Sequence, residues 1–431
     1  MTGRWRYGVA AMALAGLATG GSTQGTRPIP AARAALSTVS HWVPAWGSAQ
    51  MLATAADAER IAALGPVTIR QTVHLSAGGT MVRVRLSNVM GDQPLHVGAL
   101  RLGRGIPGQP QVTDAAILTF DGATATIVPA GAEVYSDPLR LTTRAGDDLA
   151  ISLFLPTPPV RHTGHPGARA TTFLARGDQT GVPTLTAPER IGGWWDLADV
   201  EVRGGTATGA IVAIGDSITD GRGVGDDSNA RWTDVFARRL AVARQPVRLS
   251  VVNAGIGGNR VLLDGNGPNL MARFDRDVIA RPNVRYAIVL EGVNDLGVLT
   301  RDAPADAATR RAMVAAMLAS YRQLSARAHA HNIHLIGATI TPLVGNDYYH
   351  ASPQTEATRQ AINTAIRQAG IFDAIIDFDA AIRDPAHPDR LLPKYDGGDH
   401  LHPNEAGYRA MAEAIPLRLF EEGSVRAGRS R

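Results

Sequence analysis

Hydrophobic periodicity changes at Gly204-Gly205, and no other feature constrains the fold of this chain as strongly. Ahead of the glycine pair, apolar and polar residues alternate singly. Val82, Val84 and Leu86 alternate with Arg83, Arg85 and Ser87, and Leu149, Ile151 and Leu153 with Ala150 and Ser152. Period-two alternation marks half-buried strands. Ala77-Gly78-Gly79, Asp121-Gly122 and Ala145-Gly146-Asp147 punctuate them as turns. Short strands without a long helix predict an antiparallel β-sandwich or jelly roll over residues 41–205. Beyond the pair, apolar runs alternate with helical stretches. The predicted strands are Ala210–Ile214, Leu249–Asn253, Ala287–Leu290, Leu335–Ile340 and Ala374–Phe378. Helical spacing joins Trp232, Val235, Phe236 and Leu240, and again Met313, Met317, Tyr321, Leu324 and Ala328. This order predicts an α/β region, a parallel sheet covered by helices on both faces, over residues 206–424, followed by a tail at 425–431.

Composition narrows the function. The chain has 431 residues, 45% of them hydrophobic and 19% charged, as suits a globular protein with a sizeable core. Formal net charge is +4, and Lys394 is the single lysine. Arginines and acids are interspersed without a dense basic run, which argues against a nucleic-acid partner. No cysteine is present, excluding disulfides, thiolate metal sites, a cysteine nucleophile and a lipoprotein anchor. Arg4 and Arg6 precede an apolar stretch, Tyr7 to Ala18, that resembles a secretory signal. Residues 1–22 are read as that signal and 23–40 as a flexible leader. The expected location is therefore periplasmic or extracellular, with no stable membrane insertion once the signal is removed.

Four segments of the second region fall at element ends. They are Gly215-Asp216-Ser217-Ile218-Thr219-Asp220-Gly221, Asn253-Ala254-Gly255-Ile256-Gly257-Gly258-Asn259-Arg260, Glu291-Gly292-Val293-Asn294-Asp295 and Asp399-His400-Leu401-His402-Pro403. Three follow predicted strands, so a parallel sheet would bring them to one edge, where open α/β sheets bind ligands. The fourth precedes a helix expected from about Asn404 to Phe420, with Pro403 suited to its first turn. A serine hydroxyl needs a base and an orienting acid to act as a nucleophile. Ser217 supplies the hydroxyl, His402 the base, and Asp399, three residues earlier, a carboxylate for the imidazole Nδ1–H. The Ser217 backbone N–H, a glycine N–H of the second segment and the Asn294 amide are the candidate oxyanion donors.

Together these segments resemble the four sequence blocks of the SGNH (GDSL) hydrolase superfamily, over about residues 208–422. The resemblance implies a flavodoxin-like α/β/α sandwich. It implies Ser217 as nucleophile, Gly258 (with Gly257 as the alternative) and Asn294 as oxyanion donors, and Asp399 and His402 as the remaining triad members. It extends more loosely to two-domain, xylan-esterase-like members with an N-terminal β-domain, through Trp42 and Trp46, Asn229-Ala230-Arg231-Trp232, Arg273-Phe274-Asp275 and Asp377-Phe378-Asp379. That implies a serine esterase acting on short-chain acyl or acetyl esters, small or polysaccharide-linked, through an acyl-enzyme and without cofactor or metal. The alternatives are a lipase, lysophospholipase or thioesterase on the same triad, and a carbohydrate-binding protein with a vestigial hydrolase domain.

Other residues carry weaker expectations. Asp216 and Asp220 flank the nucleophile as loop-bonding residues. Arg260 is a candidate substrate contact, with a salt bridge to a nearby acid as the competing reading. Trp232 is a second candidate contact, although packing of the first helix is expected of it and of Arg231. Trp194-Trp195 suit interface packing. His329, His331 and His334 are spaced as capping or solvated residues rather than as metal ligands.

Overall fold

The computed structural model of the protein describes residues 41–243, 247–368 and 370–421. The expected signal segment, leader and C-terminal tail lie outside the described residues.

Residues 43–203 build the antiparallel part. One sheet joins Val43–Gly47, Leu197–Arg203, Met81–Ser87 and Leu139–Arg140 in that order, with Glu133–Tyr135 also paired to Met81–Ser87. A six-stranded sheet runs Glu189–Gly192, Thr171–Arg176, Val67–His74, Asp148–Leu155, Ala99–Gly105, Val112–Leu118. Val82, Val84 and Leu86 from the first meet Ile69, Leu149, Ile151 and Leu153 from the second in one apolar core, the sandwich that the alternation requires. One helix, Ala55–Ala62, was not anticipated; the Thr54 hydroxyl caps it by accepting the Asp57 N–H at 3.1 Å.

From residue 209 the sheet is parallel. Its strands are β1 (Gly209–Gly215), β2 (Leu249–Gly255), β3 (Val284–Leu290), β4 (His334–Ala338) and β5 (Ala374–Ile376), arranged β2-β1-β3-β4-β5 with every neighbour parallel. Eight helices of this region concern the site. They are α1 (Ser217–Asp220), α2 (Trp232–Ala241), α3 (Leu270–Phe274), α4 (Val293–Arg301), α5 (Ala307–Ala330), α6 (Pro353–Gln368), α7 (Phe378–Ile382) and α8 (Glu405–Ala414). Helix α8 contacts α2 and α7, whereas α6 contacts α4 and α5, giving helical layers on the two faces of the sheet. The expected strand at 374–378 stops at Ile376 because the Asp377 carboxylate accepts the Ala380 N–H at 3.0 Å and caps α7. The helix expected from Asn404 to Phe420 is also corrected. Asn404 is its N-cap, accepting the Gly407 N–H at 3.0 Å, so Pro403 lies outside it, and α8 ends at Ala414 before a short 3-10 turn, Leu417–Phe420.

The described residues of both regions belong to one compact unit. Period-two alternation leaves Arg85, Ser87 and Asp199 on the face of the first sheet away from the sandwich core. That face is nevertheless buried, because the α/β region covers it. Asp199 pairs there with Arg85 of its own sheet and takes the Arg281 Nε at 2.8 Å from the α/β region. Arg281 Nη2 also donates to the Ser48 carbonyl at 2.9 Å. The Ser76 hydroxyl accepts the Val251 N–H at 3.0 Å, occupying a donor on the edge strand β2. Asp199→Ala leaves the buried Arg281 guanidinium without its paired carboxylate, while Arg85 keeps Glu133 at 2.9 Å. The expected cost is about 3–5 kcal/mol, read as a lowered urea midpoint; an unchanged midpoint would show that the inter-region ion pair does not stabilise the fold.

Candidate active site

Strand order reverses between β1 and β3, and the crevice opens at the carboxyl ends of the strands. β1 delivers Gly215 and Asp216 to the start of α1. Gly215 has no room for a side chain: a Cβ would lie 2.2 Å from the Leu290 carbonyl oxygen. Asp216 is the N-cap of α1 and accepts the Ile218 N–H at 2.9 Å. Ser217 therefore occupies the first helical position, where a backbone N–H has no partner within the helix.

Ser217 meets the fourth segment. Its Oγ lies 2.8 Å from His402 Nε2, and His402 Nδ1 lies 2.6 Å from Asp399 Oδ2. Asp399 Oδ1 accepts the backbone N–H groups of His402 and Leu401 at 2.8 and 3.1 Å. Burial pushes the Asp399 carboxyl up, but the hydrogen bonds from the His402 ring and these N–H groups prevail and hold it well below the usual carboxylate range. Asp396, the other carboxylate of this loop, is engaged elsewhere. It pairs with the exposed His400, whose Nδ1 lies 2.6 Å from Asp396 Oδ2.

The second and third segments stand opposite. Gly258 has φ of +73°, and a Cβ there would come within 2.9 Å of Asn266 Nδ2, so this turn position demands glycine. Asn266 Nδ2 donates to the Gly257 carbonyl at 3.0 Å, which orients the peptide that carries the Gly258 N–H. Asn294 sits in the first turn of α4, not at its N-cap, which is Gly292. Its Nδ2 donates to the Asn259 carbonyl at 2.7 Å, and its Oδ1 accepts the Tyr349 hydroxyl at 2.7 Å. One Nδ2 hydrogen is left for a ligand. Burial pushes the Tyr349 phenol up to about 12, so it remains a donor and fixes which end of the amide faces the crevice. Tyr349 was not foreseen, since no motif surrounds it. Asp295 accepts the N–H groups of Val261 and Leu262 at 2.9 and 3.1 Å and orders the loop after the glycine turn.

Behind these segments lies Arg273, which is fully buried. Its Nε donates to Asn259 Oδ1 at 2.9 Å, its Nη1 to the Ala254 carbonyl at 2.7 Å and to Asp277 Oδ2 at 2.9 Å, and its Nη2 to the Gly215 carbonyl at 2.9 Å. Glu291, after β3, stands 3.7 Å away. Burial, with the charge of Asp216 beside it, pushes Glu291 well above the ordinary carboxylate range. Burial likewise raises Asp216 to about 7 and Asp295 to about 6.

The antiparallel region reaches this site. His165 Nε2 lies 2.8 Å from Asp220 Oδ1, and its Nδ1 is 2.8 Å from the Ala49 carbonyl. Asp220 thus anchors the α1 turn to the sandwich. Arg231 holds the same turn, donating to the Asp220 carbonyl at 3.2 Å and to the Ala168 carbonyl. The crevice, about 1070 Å³, is walled on one side by Met51, Leu52, Thr54, Pro166, Gly167 and Arg169, and on the other by the four segments. Arg260 lines it and donates to the Asp264 backbone carbonyl rather than to a carboxylate. Trp232 is a correction. Its ring is fully buried against Phe378, with centroids 5.3 Å apart, because its helix turns that face into the core, so it is no substrate contact. Trp194 and Trp195 are buried as well, Trp194 edge-on to Trp46. His329 bonds Asp373 at 2.8 Å, and no metal-binding cluster occurs among the described residues.

A parallel sheet in the order β2-β1-β3-β4-β5, with helices on both faces and this crevice at its carboxyl edge, is a flavodoxin-like α/β fold. Residues 213–410 match the GDSL-like Lipase/Acylhydrolase family, and the chain is a carboxylic ester hydrolase. No curated protein matches the chain. Among solved structures, an acetylxylan esterase from Geobacillus stearothermophilus shares 23% identity, with 52% of this chain and 98% of that one covered and a TM-score of 0.37. A carbohydrate esterase family 2 enzyme with a carbohydrate-binding domain, from Corynascus thermopiles (Myceliophthora fergusii), shares 16% over 81% of this chain and 91% of that one, with a TM-score of 0.36. A member of the lipolytic G-D-S-L family from Veillonella parvula shares 17% over 48% and 94%, with a TM-score of 0.33. No helix among the described residues is long and apolar enough to cross a membrane.

The buried carboxylates make stability pH-dependent. Asp216 has an ordinary value of 3.8 and a folded value near 7, so it binds its proton more tightly in the fold. Its favourable contribution is complete below pH 3.8 and is lost as pH rises through 7. Asp216→Asn keeps the cap acceptor and removes the titration. The urea midpoint of this variant should fall less than that of the wild type between pH 4 and pH 8 (about the window of the shift). Parallel pH curves for the two proteins would contradict this account.

Proposed function

We propose that Ser217, His402 and Asp399 hydrolyse an acyl ester through an acyl-enzyme. The supporting observation is the continuous hydrogen-bonded line from the Ser217 hydroxyl through both ring nitrogens of His402 to Asp399. His402 Nε2 takes the hydroxyl proton as Oγ attacks the ester carbonyl. Asp399 stays ionised, keeps the Nδ1–H tautomer and stabilises the imidazolium that forms. The Ser217 N–H, the Gly258 N–H and the remaining Nδ2 hydrogen of Asn294 receive the oxyanion. Collapse of the tetrahedral intermediate breaks the bond to the alcohol, which leaves with the proton from His402. Water, deprotonated by the same ring, then releases the acid and restores Ser217.

The crevice volume of about 1070 Å³ is more than a short acyl group fills, which supports an alcohol portion as large as a sugar. Short-chain acyl or acetyl esters, small or carbohydrate-linked, are the proposed substrates. The antiparallel region, residues 41–205, is proposed to shape one wall of the crevice beside the catalytic region 206–424. Export is proposed from Arg4, Arg6 and the apolar stretch after them; a mature N-terminus near residue 23 in culture fluid or periplasm would bear it out.

Ser217→Ala should lower kcat for 4-nitrophenyl acetate by roughly 10⁴-fold or more. Retained turnover sinks the proposal, and a wild type that binds polysaccharide without any turnover favours the binding-protein alternative. Rates across C2 to C12 esters test acyl length, and a maximum at long chains would make the enzyme a lipase. Asn294→Ala should cost about 10²–10³ in kcat with KM little changed. Tyr349→Phe, which frees the Asn294 amide to rotate, should cost about tenfold; wild-type kcat in this variant would remove Tyr349 from the oxyanion arrangement.

A further inference from the structure

Four arginines line the crevice around Ser217: Arg169, Arg222, Arg260 and Arg301. Arg301 is neutralised by Asp302, with Nε and Nη2 each 3.1 Å from a carboxylate oxygen, and it also reaches the Tyr348 hydroxyl at 3.2 Å. The other three form no ion pair with a carboxylate among the described residues. Arg260 spends one nitrogen on the Asp264 backbone carbonyl. The guanidinium groups of Arg169 and Arg222 donate to nothing among the described residues.

This contrasts with the arginines that stabilise the fold. Arg85, Arg231, Arg273, Arg281, Arg359 and Arg367 all pair with carboxylates, and the buried Arg70 spends its donors on Ser152 and four backbone carbonyls. The crevice also has its own carboxylates. Asp399 is engaged by His402 and Asp220 by His165, and Asp347 is the third. The unpaired guanidinium groups therefore outnumber the one acid on this lining that no imidazole holds.

Arg169 adds a second observation. Its backbone has φ of +51°, a left-handed conformation that residues other than glycine, asparagine and aspartate rarely adopt. Neighbouring bonds enforce it: the Ala168 carbonyl accepts from Arg231, and the Arg169 carbonyl accepts the Asp227 N–H at 2.9 Å. Strained residues of this kind persist where the surroundings over-determine them, and they cluster at ligand sites.

We infer that the crevice receives an ester carrying a carboxylate, held by Arg169, Arg222 and Arg260 while the acyl carbon sits at Ser217. The inference rests on the esterase reading above and specifies its substrate class. A guanidinium presents a planar fork of N–H donors that matches the two oxygens of a carboxylate. A free acid ester and an acylated uronate within a polysaccharide offer this same group.

The test compares 3-acetoxybenzoate with its uncharged counterpart, 3-carbamoylphenyl acetate. At low ionic strength the wild type should prefer the acid in kcat/KM by about tenfold or more, and the ratio should fall toward one in about 1 M salt. Arg169→Gln, Arg222→Gln and Arg260→Gln should each reduce the ratio several-fold. A wild-type ratio near one, or a ratio that none of the three changes, overturns the inference. If the wild type cleaves neither ester, the esterase reading itself fails. Calorimetry with Ser217→Ala then decides the anion site alone: tighter binding of 3-acetoxybenzoate than of the amide supports it, and equal or no binding overturns it. Acetate release from acetylated polygalacturonate faster than from acetylated xylan would assign the carboxylate to a polymer. The reverse order, with the small-ester preference intact, would assign it to a small acid.

Discussion

The crevice depends on the buried guanidinium of Arg273. The carboxyl ends of the parallel strands carry the segments that line the crevice. Arg273 donates to the carbonyl of Gly215, the last residue of β1, and to that of Ala254, the last but one of β2, and holds the Asn259 side chain. Asn259 in turn passes its carbonyl to the Asn294 amide. One planar cation thus sets the spacing between the serine turn and the amide that faces it. Its charge is met by Asp277 at 2.9 Å. A buried cation in such a position is tolerable only because nearly every donor is used and a carboxylate accompanies it.

The carboxylates around this centre divide by environment. Asp399 is partly exposed and receives three donors, which keeps it ionised beside His402. Asp216, Asp295 and Glu291 are sealed in the interior and drawn toward the neutral form. The same functional group therefore serves as an orienting charge at the rim and as a cap or loop tie behind it. The difference lies in solvent access and donor count rather than in residue type.

The two regions act as one body at the site. The α1 turn carrying Ser217 is a single turn of helix, too short to hold its geometry alone. Asp220 at its end is held by His165 from the sandwich, and Arg231 stitches the same turn to the Ala168 carbonyl. Arg281 and Asp199 make the same kind of connection deeper in the interface. The sandwich is thus a support for the Ser217 turn as well as one wall of the crevice.

The period of the apolar residues was enough to reveal two sheet types, the five parallel strands and the edge on which three of the four segments gather. These are local properties of the backbone, set by alternation and helical spacing. The meeting of Ser217 with the Asp399–His402 turn was expected from triad chemistry and the resemblance to the SGNH blocks rather than from strand order, since the fourth segment follows no predicted strand. The partners of that set were not. Tyr349, His165, Arg169 and Arg222 stand in unremarkable sequence and gain their positions from loops far away along the chain. Trp232 shows the converse: this aromatic stands beside a motif yet packs against Phe378 in the core. Residue types and spacings announce which groups can react. Their donors, charges and solvent access depend on contacts between distant segments, which no local pattern encodes.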